Sequence, residues 1–183
     1  LSIIKEQDPS EIMVGETVQF GEFEKAVKKT GIGAVCKKHD VEIVDIQKGK
    51  FVDKKSGGFE FEVSEYAFSD LIVNVPVYKT HMMLGIAGAL ENMTRLISNK
   101  NYKELMSKDI NDAIYNLHEV ISKKQVIIGD CTIGIQGNGP LMYGEPAFLH
   151  RIVAGNDPVA TDKVYQEMCM LRKAAHVEKC GEE

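Results

Sequence analysis

The chain reads as an α/β domain: a mainly parallel sheet with helices on both faces, a three-layer sandwich. Three observations predict this. Short runs rich in β-branched residues, at 41–46, 70–76 and 125–130, alternate with segments whose apolar residues recur at helical spacing. Those runs are apolar almost throughout, as strands buried on both faces are. Asp109, and Asp157 followed by Pro158, supply capping residues where helical spacing begins.

Taken in order, Glu11 to Gly15 is a short apolar run closed by glycine, a strand, and Phe20, Phe23 and Val27 then follow a helical period until Gly31. A small helical piece, GAVCKKHD, leads into a buried strand at Val41 to Ile46. Gly57-Gly58 marks a turn, and Phe59, Phe61 and Val63 alternate with acids as a half-exposed edge strand does. Asp70 to Pro76 suits a central strand ended by proline, with Val-Tyr-Lys-Thr as the loop beyond it. From His81 onward Met82, Ile86, Ala89, Leu90, Met93, Leu96 and Ile97 trace one helical stripe, and Gly85, Gly88 and Asn92 give that helix a small face that something must approach closely. Asp109 caps a helix with Ile110, Ala113, Ile114, Leu117, Val120 and Ile121 inward and Lys123 and Lys124 at its C-terminal end. A buried strand at Gln125 to Asp130 opens into a glycine-rich loop through Pro146, strand character resumes at Phe148 to Ala154, and the last helix carries Ala160, Val164, Met168 and Leu171.

Composition bounds the partners. The 183 residues are 44% apolar with a net charge of −5, which gives no basic face for nucleic acid or an anionic membrane. No apolar run reaches the roughly 18 residues a membrane span needs, and the opening residues show no charged leader followed by an apolar stretch and a small-residue cleavage site, so a cytoplasmic protein is expected. Cys36, Cys131, Cys169 and Cys180 are dispersed, as free thiols are. No linker or repeat divides residues 1–183, which gives one domain, and the opening Leu1 suggests a fragment whose N-terminus lies upstream.

In an open α/β sheet, ligands sit beyond the carboxyl ends of the strands. Two segments are expected there. Lys79 offers a positive charge, Thr80 a hydroxyl or a helix cap, and His81 a group titrating near neutrality, a set suited to a carboxylate or phosphate. Gly134, Gly137 and Gly139, with Asn138 between the last two, can turn backbone N–H groups toward an anion, although the spacing is not a dinucleotide fingerprint and no phosphate-loop Gly-Lys-Ser/Thr occurs. Asp130 is a candidate acid, base or metal ligand. Asp157 reads as a cap, Asp162 as a local hydrogen-bonding group, and Cys131 as buried and inert.

Asp70-Leu-Ile-Val-Asn-Val-Pro-Val-Tyr-Lys-Thr-His81, Gly85-Ile-Ala-Gly-Ala-Leu-Glu-Asn92, Gly129-Asp-Cys-Thr-Ile-Gly-Ile-Gln-Gly-Asn-Gly-Pro140, Gly144-Glu-Pro146 and Asp157-Pro-Val-Ala-Thr-Asp162, in this order, resemble the family called domain of unknown function 362. Val14-Gly-Glu16 and Val41-Glu-Ile-Val-Asp45 fit as well. The matched positions are Lys79, His81, Asn92, Asp130, Gly137, Gly139, Pro140, Asp157 and Asp162, and Glu91 stands where many relatives carry lysine. The resemblance implies an uncharacterised domain often associated with iron–sulfur centres; the clustered cysteines of such a segment are absent here, so a cluster is possible only outside this chain or on a ferredoxin-like partner. An upstream Lys-Pro-Asn motif is absent too. A weaker similarity, taken as analogy, links the strand, histidine and glycine-helix arrangement to nickel-pincer lactate racemases.

The functional expectation is an enzyme domain that binds a small carboxylate or phosphate compound where the two segments meet. Lys79 holds the anion, and Thr80, Asn92, Gly137, Asn138 and Gly139 surround it. His81 is the acid or base, and Asp130 holds His81 or a metal. The competing expectation is a non-catalytic module that docks an electron carrier or assembles with copies of itself, with an exposed apolar patch. Metal, cofactor, reaction and oligomeric state are not legible in the sequence.

Overall fold

The computed structural model describes residues 1–18, 21–121, 124–137, 139, 144–169 and 175–181. Phe20, Lys123, Asn138, Pro140 and Leu171 lie outside them. The chain divides into two compact units, Leu1–Lys50 and Phe51–Glu183.

The first unit holds α1 (Ser2–Lys5), β1 (Met13–Glu16), α2 (Phe23–Thr30), α3 (Ile32–Lys38) and β2 (Glu42–Asp45). β1 and β2 pair in parallel from Met13 opposite Glu42 to Glu16 opposite Asp45. Gly31, at φ +79°, ends α2 in the left-handed conformation that glycine adopts without strain, and its N–H donates to Lys28 O. The Asp45 carboxylate then accepts from Gln47 N at 3.1 Å and caps a single 3₁₀ turn.

The second unit begins with a hairpin of β3 (Phe51–Ser56) and β4 (Phe59–Ser64). Its two-residue turn, Gly57-Gly58, has φ of +53° and +83°, the geometry that a tight hairpin needs. On β4, Phe61 and Val63 point into the core while Glu60 faces out, so the alternation read from the sequence holds. β5 (Ile72–Asn74) pairs in parallel with β8 (Gln125–Gly137), and β8 pairs antiparallel with β9 (Gly144–Gly155). Between them the chain forms β6 (Lys79–His81), β7 (Gly85–Ala87), α4 (Ala89–Asn92), α5 (Asn99–Met106) and α6 (Ile110–Val120). α7 (Pro158–Met168) and α8 (Ala175–Cys180) follow β9. Asp109 caps α6 through Asn111 N and Asp112 N, and Asp157 caps α7 through Val159 N and Ala160 N with Pro158 in the first turn. No helix among the described residues is long and apolar enough to cross a membrane.

Mixed helices and strands agree with the α/β class, but the described sheets are small and mixed instead of one mainly parallel sheet. The reason lies in the connections. Parallel strands need a long crossover, and helices bridge only β1 to β2 and β5 to β8, the two pairs that are parallel. The antiparallel pairs β3–β4 and β6–β7 are joined by short turns, at Gly57-Gly58 and just before Gly85, all three glycines with positive φ. The expected helix from His81 is an antiparallel hairpin, Lys79 opposite Ala87 and His81 opposite Gly85, followed by one helical turn and a 3₁₀ turn, Met93–Leu96. The expected glycine-rich loop is mostly strand, with Gly134 opposite Ala147 and Gly137 opposite Gly144.

Candidate functional site

β8 runs beside the segment that follows β5 and fixes its path. Tyr78 N donates to Asp130 O at 2.9 Å and Asp130 N to Pro76 O at 2.8 Å, which prolongs the parallel pairing through a bridge between Val77 and Asp130. Beyond it, Thr80 Oγ1 donates to Ile135 O at 2.9 Å and Met82 N to Gly139 O at 2.8 Å. A Cβ on Gly139 would lie 2.3 Å from Thr80 O, so a backbone without a side chain is what lets the two strands of chain touch. The Lys79–His81 segment and the glycine-bearing hairpin, far apart in sequence, therefore meet.

Their side chains have separate roles. Half-buried Lys79 gives one of its three N–H donors to Val77 O at 3.0 Å; burial lowers its pKa, Glu91 opposes this, and Arg95 adds to it. The buried Thr80 hydroxyl is engaged with Ile135 and caps no helix. His81 Nδ1 accepts from both Met83 N and Leu84 N at 3.2 Å. A nitrogen accepting two N–H groups presents its lone pair, so the neutral ring carries its proton on Nε2. Burial pushes the His81 pKa below its ordinary 6.5, Glu91 pulls it up, and Lys79 and Arg95 push it down. A depressed pKa means that these bonds contribute stability above pH 6.5 and lose it as pH falls through the lowered value. Protection factors at Met83 and Leu84, corrected for the intrinsic pH dependence of amide exchange, are accordingly expected to fall on acidification before those of the core amides, and a uniform response across the unit would contradict this tautomer.

Other expected partners are engaged elsewhere. The Asp130 carboxylate accepts from Thr132 N at 2.8 Å and Thr132 Oγ1 at 2.6 Å, in preference to His81, and these bonds lower its pKa. Asn92 Nδ2 donates to Asn74 Oδ1 at 2.9 Å, and Asn74 Nδ2 in turn donates to Ala89 O and Gln125 Oε1, which stitches α4 to β5 and β8. Gly137, at φ +78°, ends β8 at an exposed position. Glu91 is buried and pairs with Arg95 Nη2 at 3.0 Å, so its charge is balanced beside Lys79. Among the described residues no group of three or more His, Cys, Asp and Glu could hold a metal ion.

The residues that sequence reasoning undervalued lie just beneath this strand. Asp162, fully buried on α7, accepts from Tyr78 Oη and Ala89 N, both at 2.7 Å, and from Leu90 N at 3.1 Å. The Tyr78 ring packs on Tyr165 with centroids 4.6 Å apart. A Cβ on Gly88 would lie 2.4 Å from Asp162 Oδ1 and 2.5 Å from Tyr78 Cε1, so the close approach signalled by the small face is made by the protein's own side chains. Buried His176 on α8 meets Asn111 Oδ1 through Nδ1 at 3.3 Å, and burial, then the charge of His81, lower its pKa to about 4. Burial raises Cys131 to about 11, in keeping with an inert thiol.

A family model described as domain of unknown function (DUF362) matches residues 1–167. A thylakoid-associated protein of Synechocystis sp. is 23% identical over 167 residues, covering 88% of this chain and 52% of that protein. The chain thus spans about half the length of this curated relative. No solved structure gives a significant match.

Proposed function

The chain belongs to the family described as domain of unknown function 362, and we propose that it is an enzyme domain binding a small carboxylate or phosphate compound against the Lys79–His81 strand. The carrying observation is the Met82 N to Gly139 O bond, which supports one binding surface made from two distant segments. Lys79 supplies the charge. Its partial burial weakens competition from water, and two of its donors remain for an anion. His81 supplies a neutral Nε2–H. With Nδ1 already accepting two backbone bonds, this imidazole orients a ligand as a donor instead of exchanging its proton as an acid or base. Asp130 and Asn92 act on this surface through the backbone and through Asn74. A cytoplasmic location belongs to the same proposal; the thylakoid association is a property of the relative.

Thermal unfolding in the presence of inorganic phosphate and a panel of small carboxylates tests the reading. Saturation at one hundred times the dissociation constant is expected to stabilise the protein by about 2.7 kcal/mol. Lys79→Ala should abolish that stabilisation, and His81→Ala should weaken affinity roughly tenfold, the worth of one hydrogen bond to a charged group. No stabilisation by any anion, or an undiminished response in Lys79→Ala, would remove the proposal.

A further inference from the structure

The β5–β8–β9 sheet is apolar on both faces. Inward, Ile127, Cys131 and Val153 are buried. Outward, Val75, Val77, Ile128, Ile133, Phe148 and Ile152 are exposed, from 42% at Ile128 to 66% at Ile152. Register joins them into one surface: Asp130 lies opposite Ile152 and is bridged to Val77, and Ile133 lies opposite Phe148. At the irregularity between Cys131 and Ile133 the register advances two residues on β8 against three on β9, from Arg151 to Phe148, so the extra residue lies on β9; beyond it Gly134 faces inward, where a Cβ would lie 3.1 Å from Tyr78 O and 3.6 Å from Tyr165 Oη, and its neighbour Ile133 is exposed with Phe148 opposite. An antiparallel sheet that faces water alternates apolar with polar residues, whereas strands apolar on both sides are strands covered on both sides. Among these outward paired positions Asp130 carries the single charge, and its carboxylate is already held by Thr132.

We propose that this outward face is the contact between two copies of the chain, packed sheet against sheet about a two-fold axis. Such a contact uses the same patch on both copies, and a nearly uncharged apolar face is complementary to itself. Recognition of an acidic or basic electron carrier works through opposed charges, and the charges at this face are few: Asp130, held by Thr132, and exposed Arg151 beside Ile152, whose Nη1 donates to His150 O at 3.1 Å. The six side chains and their neighbours expose on the order of several hundred Å² of apolar surface, the size at which a patch commonly marks an interaction site and a large part of the ~800 Å² that each partner buries in an interface of standard size. Packing also removes apolar surface from water while the acids that give each copy its charge of −5 stay largely off the contact. This inference is independent of the anion-binding reading, since it uses neither Lys79 nor His81.

Sedimentation equilibrium of the full chain at micromolar concentration is expected to return a dimer. The double variant Phe148→Glu, Ile152→Glu places four like charges in the contact and should raise the dissociation constant at least tenfold, with a circular dichroism spectrum like that of the native protein. As a second measurement, Ile152→Cys should increase interchain cross-linking by a short thiol-reactive reagent over the unsubstituted chain. A native monomer up to about 100 µM, a dimer indifferent to the double variant, or no added cross-linking would overturn the proposal. So would a native monomer that instead bound phosphatidylcholine vesicles or a ferredoxin-like protein through this face.

Discussion

Replacing Asp162 by alanine is expected to cost about 3–5 kcal/mol of folding free energy, a large share of what a domain of this size possesses. The carboxylate is fully buried and accepts from three donors on two other segments: the Tyr78 hydroxyl and the amides of Ala89 and Leu90. Those amides open α4, where the first turn has no intrahelical partners for its N–H groups. Alanine would strand all three donors away from water, and the stranded donors, more than the lost attraction, account for the loss. Urea denaturation at pH 7 measures it as a fall in midpoint. The charge of Asp162 adds a second signature. Burial pushes its pKa from the usual 3.8 up to about 6, against the three hydrogen bonds that hold it down. The folded protein therefore binds that proton more tightly than the unfolded chain does. The resulting stability is fully present below pH 3.8 and is lost as pH rises through about 6. Compared with Asp162→Asn, which cannot titrate, the native protein should gain about 2–3 kcal/mol between pH 7 and pH 4. Parallel profiles for the two proteins would mean that Asp162 stays charged throughout.

Local chemistry was legible where one residue decides the outcome. Asp109 and Asp157 cap the helices assigned to them, Gly57-Gly58 turns a hairpin, Gly31 ends a helix, and the strands near Val41 and Gln125 stand where β-branched runs put them. Misreading began where two periods coincide. Met82, Ile86 and Leu90 recur every four residues, which fits one face of a helix and also one face of an alternating strand, so the spacing did not decide between them. Gly85, at φ +79°, decided for the hairpin. The meeting of the Lys79–His81 and glycine-bearing segments was inferred from a rule about where strands end. What joins them is the Thr80 to Ile135 and Met82 to Gly139 bonding, long-range pairing that leaves no periodic trace. Asp162 escaped for a related reason. Its position five residues after Asp157 says nothing of Tyr78 and α4, which reach it from more than seventy residues away. Gly85 and Gly88 did announce a close neighbour, but a small face cannot distinguish a ligand from a tyrosine ring.

That ring makes Gly129→Ala the second large effect. A methyl group at this position would lie 2.1 Å from Tyr78 Cε2 and 2.7 Å from Cδ2. The ring has nowhere to go. Its other edge rests on Gly88, with Cε1 2.5 Å from where a Cβ there would stand, Tyr165 stacks against it, and its hydroxyl is tied to Asp162. Overpacking against a group that cannot yield falls at the upper end of its usual range, so a loss of about 3 kcal/mol or more is expected. A double-mutant cycle identifies the cause. Tyr78→Ala is itself destabilising, yet in the Gly129→Ala background it should cost about 2 kcal/mol less than in the native one, because the alanine methyl then occupies space the ring has left. Simple additivity would instead place the strain in the β8 backbone. The effect should also reach the candidate site. Tyr78 N is held by Asp130 O one residue before Lys79, so displacing the ring displaces the strand that presents Lys79 and His81. Gly129→Ala should therefore weaken anion-induced stabilisation as well as the fold. Phosphate titrations carried out below its melting transition separate the two, since a packing defect confined to the core would lower the midpoint and leave the affinity unchanged.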